Sequence, residues 1–270
     1  MIHAESCECG VGGTEFFESP PTQTVVEGRK KVDFFPVANV TDLGPLEFLV
    51  TSADDDYYDL NDHCLELKIK IVKRHGGADI VAADKVGPIN FFLHSIFSQI
   101  DIHINGQLVS VASSTYPYKV YFEKQLNYDE NVKETQFASG LYAKDTAGKM
   151  DSLTANKGFT ARAQYTALSK TVQLRGRLHV DIFNQERFLP NRCSLRLKLI
   201  PHTPAFFLLS DKDEYAIKLE SARFELTKVK INPAVLNQHN MTWTKTTVKI
   251  DRRSEIKCFS IPTGIMQTVR

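Results

Sequence analysis

Residues 86–128 read VGPINFFLHSIFSQIDIHINGQLVSVASSTYPYKVYFEKQLNY, and this stretch decides the expected fold. Its first apolar residues follow helical spacing from Asn90 to Phe97, which predicts a short buried helix with Asn90 as its cap. From Ile100 to Ile104 isoleucines alternate with polar residues, so the apolar residues recur every two positions. This alternation is typical of a half-buried strand. The stretch therefore predicts a helical turn followed directly by a strand.

A hairpin and a second helix complete the stretch. Asn105-Gly106 predicts a tight turn because both residues tolerate positive φ, so residues 99–112 are predicted to form a hairpin. Tyr116-Pro117 then opens a second helical run, since proline is favoured in the first turn of a helix. The apolar residues of that run share one helical face: Tyr118, Tyr121, Phe122 and Leu126.

Two motifs in this stretch, NFFLHSIFSQIDIHINGQLV and YPYKVYFEKQLNY, resemble the major capsid protein of Polinton/Maverick elements, which are virus-like DNA transposons, and of related DNA viruses. Two further segments support the resemblance: PLEFLVTSADDDYYDLND at 45–62 and LRGRLHVDIFNQERFLPN at 174–191. The resemblance covers the chain from near Ser19 to its end. It implies a hexon-like fold of two tandem jelly rolls, of which this chain resembles the N-terminal one.

The domain organisation follows from composition and from this resemblance. Residues 1–21 mix Gly, Ser, Pro, Cys and acidic residues without a period, which predicts a flexible N-terminal arm. Residues 22–261 are expected to form the jelly-roll domain, with a polar loop insertion at 129–157 of the kind that is usually functional or exposed. The resemblance implies that residues 262–270 form a connector toward a second jelly roll, and a single-roll capsid protein is the alternative.

Strand patterns recur outside the central stretch. About nine strand candidates with a few short helices between them predict an all-β protein, an antiparallel β-sandwich, and the resemblance narrows this to the jelly-roll type with short helices inserted in loops. The run at 53–62 is acidic but lacks the Gly and Glu of a calcium loop, so a solvated loop is expected there. The other strand candidates are 25–37, 46–51, 65–71, 171–183, 194–200, 205–209, 215–231 with a change of register near Ser221, 246–250 and 255–261, and a short helix is expected from Asn232-Pro233.

Bulk composition excludes several classes of protein. The 270 residues include 33 basic and 32 acidic side chains, so the net charge of +1 gives no reason to expect nucleic acid as the main partner. No apolar run reaches the roughly 20 residues that span a bilayer, and the N-terminus lacks a signal-peptide pattern. The five cysteines are scattered and odd in number, which fits a reducing compartment rather than a disulfide framework.

The sequence contains no recognisable catalytic or metal-binding pattern. The eight histidines form no H-E-x-x-H arrangement and no cupin-type set, and there is no phosphate-binding glycine loop. His103 and His179 are expected on the polar sides of strands, and His94 is expected to be a packed, hydrogen-bonded side chain. We therefore predict no enzyme activity, no catalytic residues, no metal, no cofactor and no small-molecule substrate.

The sequence thus predicts a structural capsid protein that self-assembles into an icosahedral viral or virus-like shell. Phe91, Phe92 and Phe97 are assigned to the core. The expected partners are further copies of the chain, as trimeric capsomers in the resembling family, a minor capsid or penton protein, and packaged DNA by non-specific contact. The expected location is the virion, assembled in the host cytoplasm or nucleus. The predicted subunit interface comprises Tyr116, Tyr118, Tyr121 and Phe122.

Two alternatives to this reading stay open. One is a single jelly-roll minor capsid or penton-type protein, and the other is a lectin-like jelly roll that binds carbohydrate through an aromatic platform. An enzyme on the same fold would need a clustered His/Glu site.

Overall fold

The structure is a computed structural model that describes residues 23–38, 44–51, 55–110 and 113–243. Short helices connect its strands. The strands are β1 (Val26–Phe34), β2 (Leu46–Thr51), β3 (Tyr57–Lys73), β4 (Val86–Pro88), β5 (Phe97–Ile104), β6 (Gln107–Leu108), β7 (Val172–Gly176), β8 (Ser194–Pro201), β9 (Leu208–Ser210) and β10 (Tyr215–Ile231). The α-helices are α1 (Phe92–Ser95), α2 (Tyr116–Asn127), α3 (Glu130–Thr135), α4 (Lys157–Thr166), α5 (Pro204–Phe207) and α6 (Pro233–Trp243).

The strands form two four-stranded sheets and one small pair. The first sheet has the order β1-β10-β3-β7, the second has the order β2-β8-β5-β6, and β4 pairs with β9. Every strand pair within the described ranges is antiparallel. The predicted antiparallel β-sandwich of jelly-roll type, with short helices in its loops, is confirmed.

The core lies between the two large sheets. Phe48 of β2 and Phe224 of β10 are fully buried, and their ring centroids are 5.9 Å apart. From Leu65 to Ile71 every second side chain of β3 points into this core, as the predicted alternation requires. In β10 the pairing register with β3 shifts between Leu219 and Ser221, so the predicted irregularity is a bulge within one long strand.

The central stretch folds largely as predicted. Asn105 and Gly106 have φ values of 50° and 80° and join β5 to a return strand of only two residues, β6. The helix expected from Asn90 is a single turn, and Asn90 does not cap it. Instead, the Asn90 Nδ2 group donates to the carbonyl of Ala143 at 2.9 Å, so this side chain holds a distant loop against the start of α1.

Three expectations about surface segments are wrong. The acidic run is not a solvated loop from residue 57 onward, because β3 begins at Tyr57 and Asp59 is buried beside Arg29. The strand expected at 171–183 ends at Gly176, and a 3₁₀ turn at Asp181–Asn184 takes the place of its last part. His179 therefore lies beyond the strand, and it is largely buried.

The polar segment at 129–157 contains ordered structure that the sequence did not suggest. It includes α3 and a 3₁₀ turn at Gln136–Gly140, and it leads into α4. Asn156 is fully buried, accepts from the backbone N–H groups of Gly158 and Phe159 as the cap of α4, and donates to the Asp145 carboxylate at 2.9 Å. Arg162 of α4 also binds Asp145, at 2.8 Å, so these contacts fix the segment against the body of the domain.

Several predictions lie outside the described residues. These are the N-terminal arm at 1–21, the strands at 246–250 and 255–261, and the connector at 262–270.

Candidate functional site

Helix α2 carries a lysine on its buried side and apolar residues on its exposed side. Its buried stripe is formed by Tyr116, Val120 and Lys124, which are spaced four residues apart and lie over β5 and α1. The lysine in this stripe is only 5% exposed, whereas Leu126 on the opposite side is 80% exposed. A surface helix of a monomer normally has the reverse arrangement.

The outer side of α2 is an apolar surface, which we call the α2 aromatic face. It consists of Tyr118, Tyr121, Phe122 and Leu126, and Phe122 is 59% exposed. The rings are arranged edge to face, with 6.0 Å between Tyr121 and Phe122. Tyr118 contacts Phe206 in the same way at 5.7 Å, which extends the surface onto α5.

A buried polar cluster lies beneath the same helix. The Nδ1 atom of His94 is 3.0 Å from the Tyr116 hydroxyl, and its Nε2 atom is 2.9 Å from Lys124 Nζ. The Lys124 ammonium also lies over the rings of Phe91 and Phe137, at 4.9 and 4.4 Å from their centroids. The prediction that His94 is a packed, hydrogen-bonded histidine is confirmed.

A second group of charges surrounds this cluster. His179 lies 5.2 Å from His94 between ring centroids, and its Nδ1 atom is 2.8 Å from the Glu123 carboxylate. Lys119 is 3.7 Å from the same carboxylate and 2.6 Å from Asp181. The Glu123 carboxylate therefore accepts a hydrogen bond from His179 and pairs with the charge of Lys119.

Burial shifts the ionisation of this cluster toward neutral forms. Desolvation lowers the pKa of Lys124 to about 7, and desolvation together with the Lys124 charge lowers the pKa of His94 well below its usual value. Burial also lowers the pKa of His179, although its hydrogen bond to Glu123 works in the opposite direction. At neutral pH the two histidines are neutral, and Lys124 is close to its midpoint.

A cleft of about 470 Å³ opens beside this cluster. Its walls come from the last turn of α2, from the 3₁₀ turn at Gln136–Gly140 and from the chain that follows β7. The lining combines cationic groups, side-chain amides and aromatic rings. Its lining includes Lys124, Arg177, Asn127, Asn184, Tyr128 and Phe137.

The predicted interface residues do not share one environment. Tyr118, Tyr121 and Phe122 lie together on the exposed face of α2, whereas Tyr116 is 6% exposed and points inward to His94. Tyr116 is therefore corrected to an interior residue, because the periodicity of the helix places it on the same stripe as Lys124. The cleft and the buried lysine were missed, since no sequence pattern announces a lysine on the inner side of a helix.

Other kinds of site find no support in the described residues. No group of three His, Cys, Asp or Glu side chains within residues 23–243, apart from the gaps stated above, is placed to hold a metal ion. Cys64 and Cys193 are free thiols. None of the described helices is both long and apolar enough to cross a membrane.

Comparison with known proteins finds similarity in sequence and in fold. An uncharacterised protein of Caenorhabditis elegans is 29% identical over 234 residues, which are 83% of this chain and 51% of that protein. A chain in the structure of the Sputnik virophage superposes with a TM-score of 0.51 at 11% identity, covering 86% of this chain and 54% of that one. The mavirus major capsid protein has a TM-score of 0.42 at 10% identity, with 87% and 54% covered. No protein-family model matches the chain.

The likeness to the virophage chain concerns the fold, which is a jelly-roll β-sandwich. This chain spans about half the length of the worm relative and about half the length of the virophage chain.

Proposed function

We propose that this chain is a structural capsid protein, a subunit that self-assembles into an icosahedral viral or virus-like shell. The α2 aromatic face carries the proposal. It holds three aromatic side chains and a leucine at the surface, while the same helix turns a lysine inward. Exposed apolar surface of this kind marks a protein contact, and the fold shared with a virophage chain supports a shell as the context.

The proposed assembly is a homo-oligomer, with trimeric, pseudo-hexagonal capsomers formed by the whole protein. A fully buried aromatic side chain removes about 150–250 Å² from water, and the side chains of the α2 aromatic face are already partly covered. The face then supplies on the order of 400 Å², about half of what each partner contributes to a standard interface. The proposed subunit interface therefore also includes surface next to the α2 aromatic face. Phe206, which contacts Tyr118, is an apolar part of that surface.

Further partners belong to the same proposal. A minor capsid or penton protein would close the shell, and packaged DNA would make non-specific contacts with its inner side. The location would be the virion, after assembly in the host cytoplasm or nucleus. The near-balance of 33 basic and 32 acidic residues fits a shell subunit that contacts DNA only weakly.

Paired variants test the role of the α2 aromatic face. Tyr118→Ser combined with Phe122→Ser should leave the fold intact, since both side chains are exposed, and should shift the chain from oligomer to monomer in sedimentation velocity. The matched control is Tyr165→Ser with Met150→Ser, which removes two equally exposed apolar side chains outside α2 and should assemble like the wild type. Equal assembly of both double variants would contradict the proposal.

A further inference from the structure

The cleft beside α2 contains two cations without an acidic partner. Among the described residues, no carboxylate lies within ion-pair distance of Lys124 or Arg177. Arg177 instead donates to the backbone and side-chain oxygens of Asn61, at 2.6 Å each. The other charges of the lining are matched, because Arg175 binds Glu225 at 2.9 Å and Glu123 is held by His179 and Lys119.

An unmatched ammonium in this position is unfavourable. Lys124 is only 5% exposed, and burial of a charge without a counter-ion is energetically unfavourable. The contacts of Lys124 to His94 and to two aromatic rings offset only part of the cost of burying its charge. A carboxylate placed in the cleft would offset the remaining cost by pairing with the ammonium.

The other residues that line the cleft indicate which kind of molecule would bring this carboxylate. Tyr128 and Phe137, whose ring centroids are 5.0 Å apart, present an aromatic wall, and Asn127 and Asn184 present amide groups suited to a peptide backbone. The volume of about 470 Å³ exceeds what a single small anion fills and suits a few residues of a peptide. A nucleic-acid duplex is too wide to bring a phosphate to an ammonium that lies this deep.

We propose that this cleft binds a short peptide segment that carries a carboxylate side chain next to an aromatic one. The carboxylate pairs with Lys124 and Arg177, and the aromatic ring packs on Tyr128 and Phe137. The site is separate from the α2 aromatic face, so it extends the proposed function and does not depend on it. The chain itself contains a segment of this chemistry, Glu15-Phe16-Phe17-Glu18, which supplies a natural probe.

The test is calorimetric titration of the full chain with a synthetic peptide of residues 14–20, TEFFESP. We expect one peptide per chain, with at least tenfold weaker binding when both glutamates are replaced by glutamine. Lys124→Met and Arg177→Gln should each weaken binding at least tenfold, whereas the exposed controls Lys85→Met and Arg74→Gln should not change it. Because Arg177 is exposed, its variant tests the site even if Lys124→Met fails to fold.

A second readout separates direct pairing from a structural effect. A carboxylate beside Lys124 favours the ammonium, whose pKa is lowered to about 7 in the free protein, so binding at pH 7.5 should take up a proton. Titrations in buffers of different ionisation enthalpy measure this uptake, and Lys124→Met should abolish it.

Four results would overturn the proposal. They are no binding of the peptide, equal binding of the glutamine peptide, unchanged affinity in both cleft variants, and tighter binding of inorganic phosphate than of the peptide. The titration measures peptide bound per chain whatever the oligomeric state, so a failure to bind is distinguishable from a failure of self-assembly.

Discussion

Lys124 is the residue whose environment departs most from what its chemistry favours. It lies under α2 with an imidazole and two aromatic rings as its neighbours, where a leucine would be the ordinary choice. The neutral lysine can accept a hydrogen bond from His94, and the charged form can donate to it, so the contact survives in either protonation state. The buried lysine is thus tolerated, but the free energy of unfolding depends on pH because of it.

This dependence has a definite sign. The pKa of Lys124 is about 7 in the folded chain and 10.5 ordinarily, so between pH 10.5 and 7 the unfolded chain binds a proton that the folded chain does not. As the pH falls through this window, the wild type loses at most about 5 kcal/mol of stability through this group, at about 1.4 kcal/mol per pKa unit. Lys124→Met lacks the group and should not show this loss.

Urea denaturation of both proteins at pH 7 and pH 9.5 measures the effect. The stability of Lys124→Met relative to the wild type should be higher at pH 7 than at pH 9.5, and titrating groups that do not interact with Lys124 cancel in the difference. A difference that does not change with pH would show that the lysine is not desolvated in the folded chain.

At the scale of elements, the segment from α3 to α4 is fixed to the sandwich by a few close contacts. Gly158, in the first turn of α4, has no room for a side chain, because an added Cβ would lie 2.5 Å from the carbonyl oxygen of Lys144 and 2.8 Å from that of Ala143. Both of these are backbone atoms, which cannot move aside without displacing the loop that Asn90 and Arg162 hold.

Gly158→Ala should therefore lower the free energy of unfolding by about 1–3 kcal/mol, the usual cost of overpacking a buried site. Thermal or urea denaturation measures it. The matched control is Gly140→Ala, where an added Cβ meets no atom within 4 Å, and its stability should change by less than about 0.5 kcal/mol. Equal effects of the two variants would show that the loop does not pack against α4 as described.

The elements also show where sequence reasoning succeeds. Strand β3, the Asn105-Gly106 turn and α2 were predicted because their signals are local: alternation, positive φ and an aromatic helical face. The start of β3 at Tyr57 was missed because its acidic side chains find partners on distant strands, such as Arg29 of β1 for Asp59 at 3.3 Å. Helix α4 was missed because its apolar pattern is weak and its position depends on long-range contacts of Asn156 and Arg162.

The same reasoning applies to the candidate site. The sequence identified the aromatic residues of α2, but periodicity shows only which residues share a face and not which face is covered. Tyr116 was therefore assigned to the interface although it lies inside, and Lys124 was not singled out. The cleft is lined by His94 and by residues from the ranges 123–140 and 175–184, which no local pattern connects.

In the part of the molecule that the structure describes, the two sheets enclose the core, and α2 has an apolar outer side. A monomer gains nothing from such a face, whereas a shell subunit buries it against a neighbour. The central claim is therefore that the chain associates with itself.

The most direct test is the mass of the purified chain by light scattering over a range of concentrations, with negative-stain electron microscopy of any large species. The account predicts trimers, rings or shells whose fraction rises with concentration. A well-folded monomer at every concentration would contradict it.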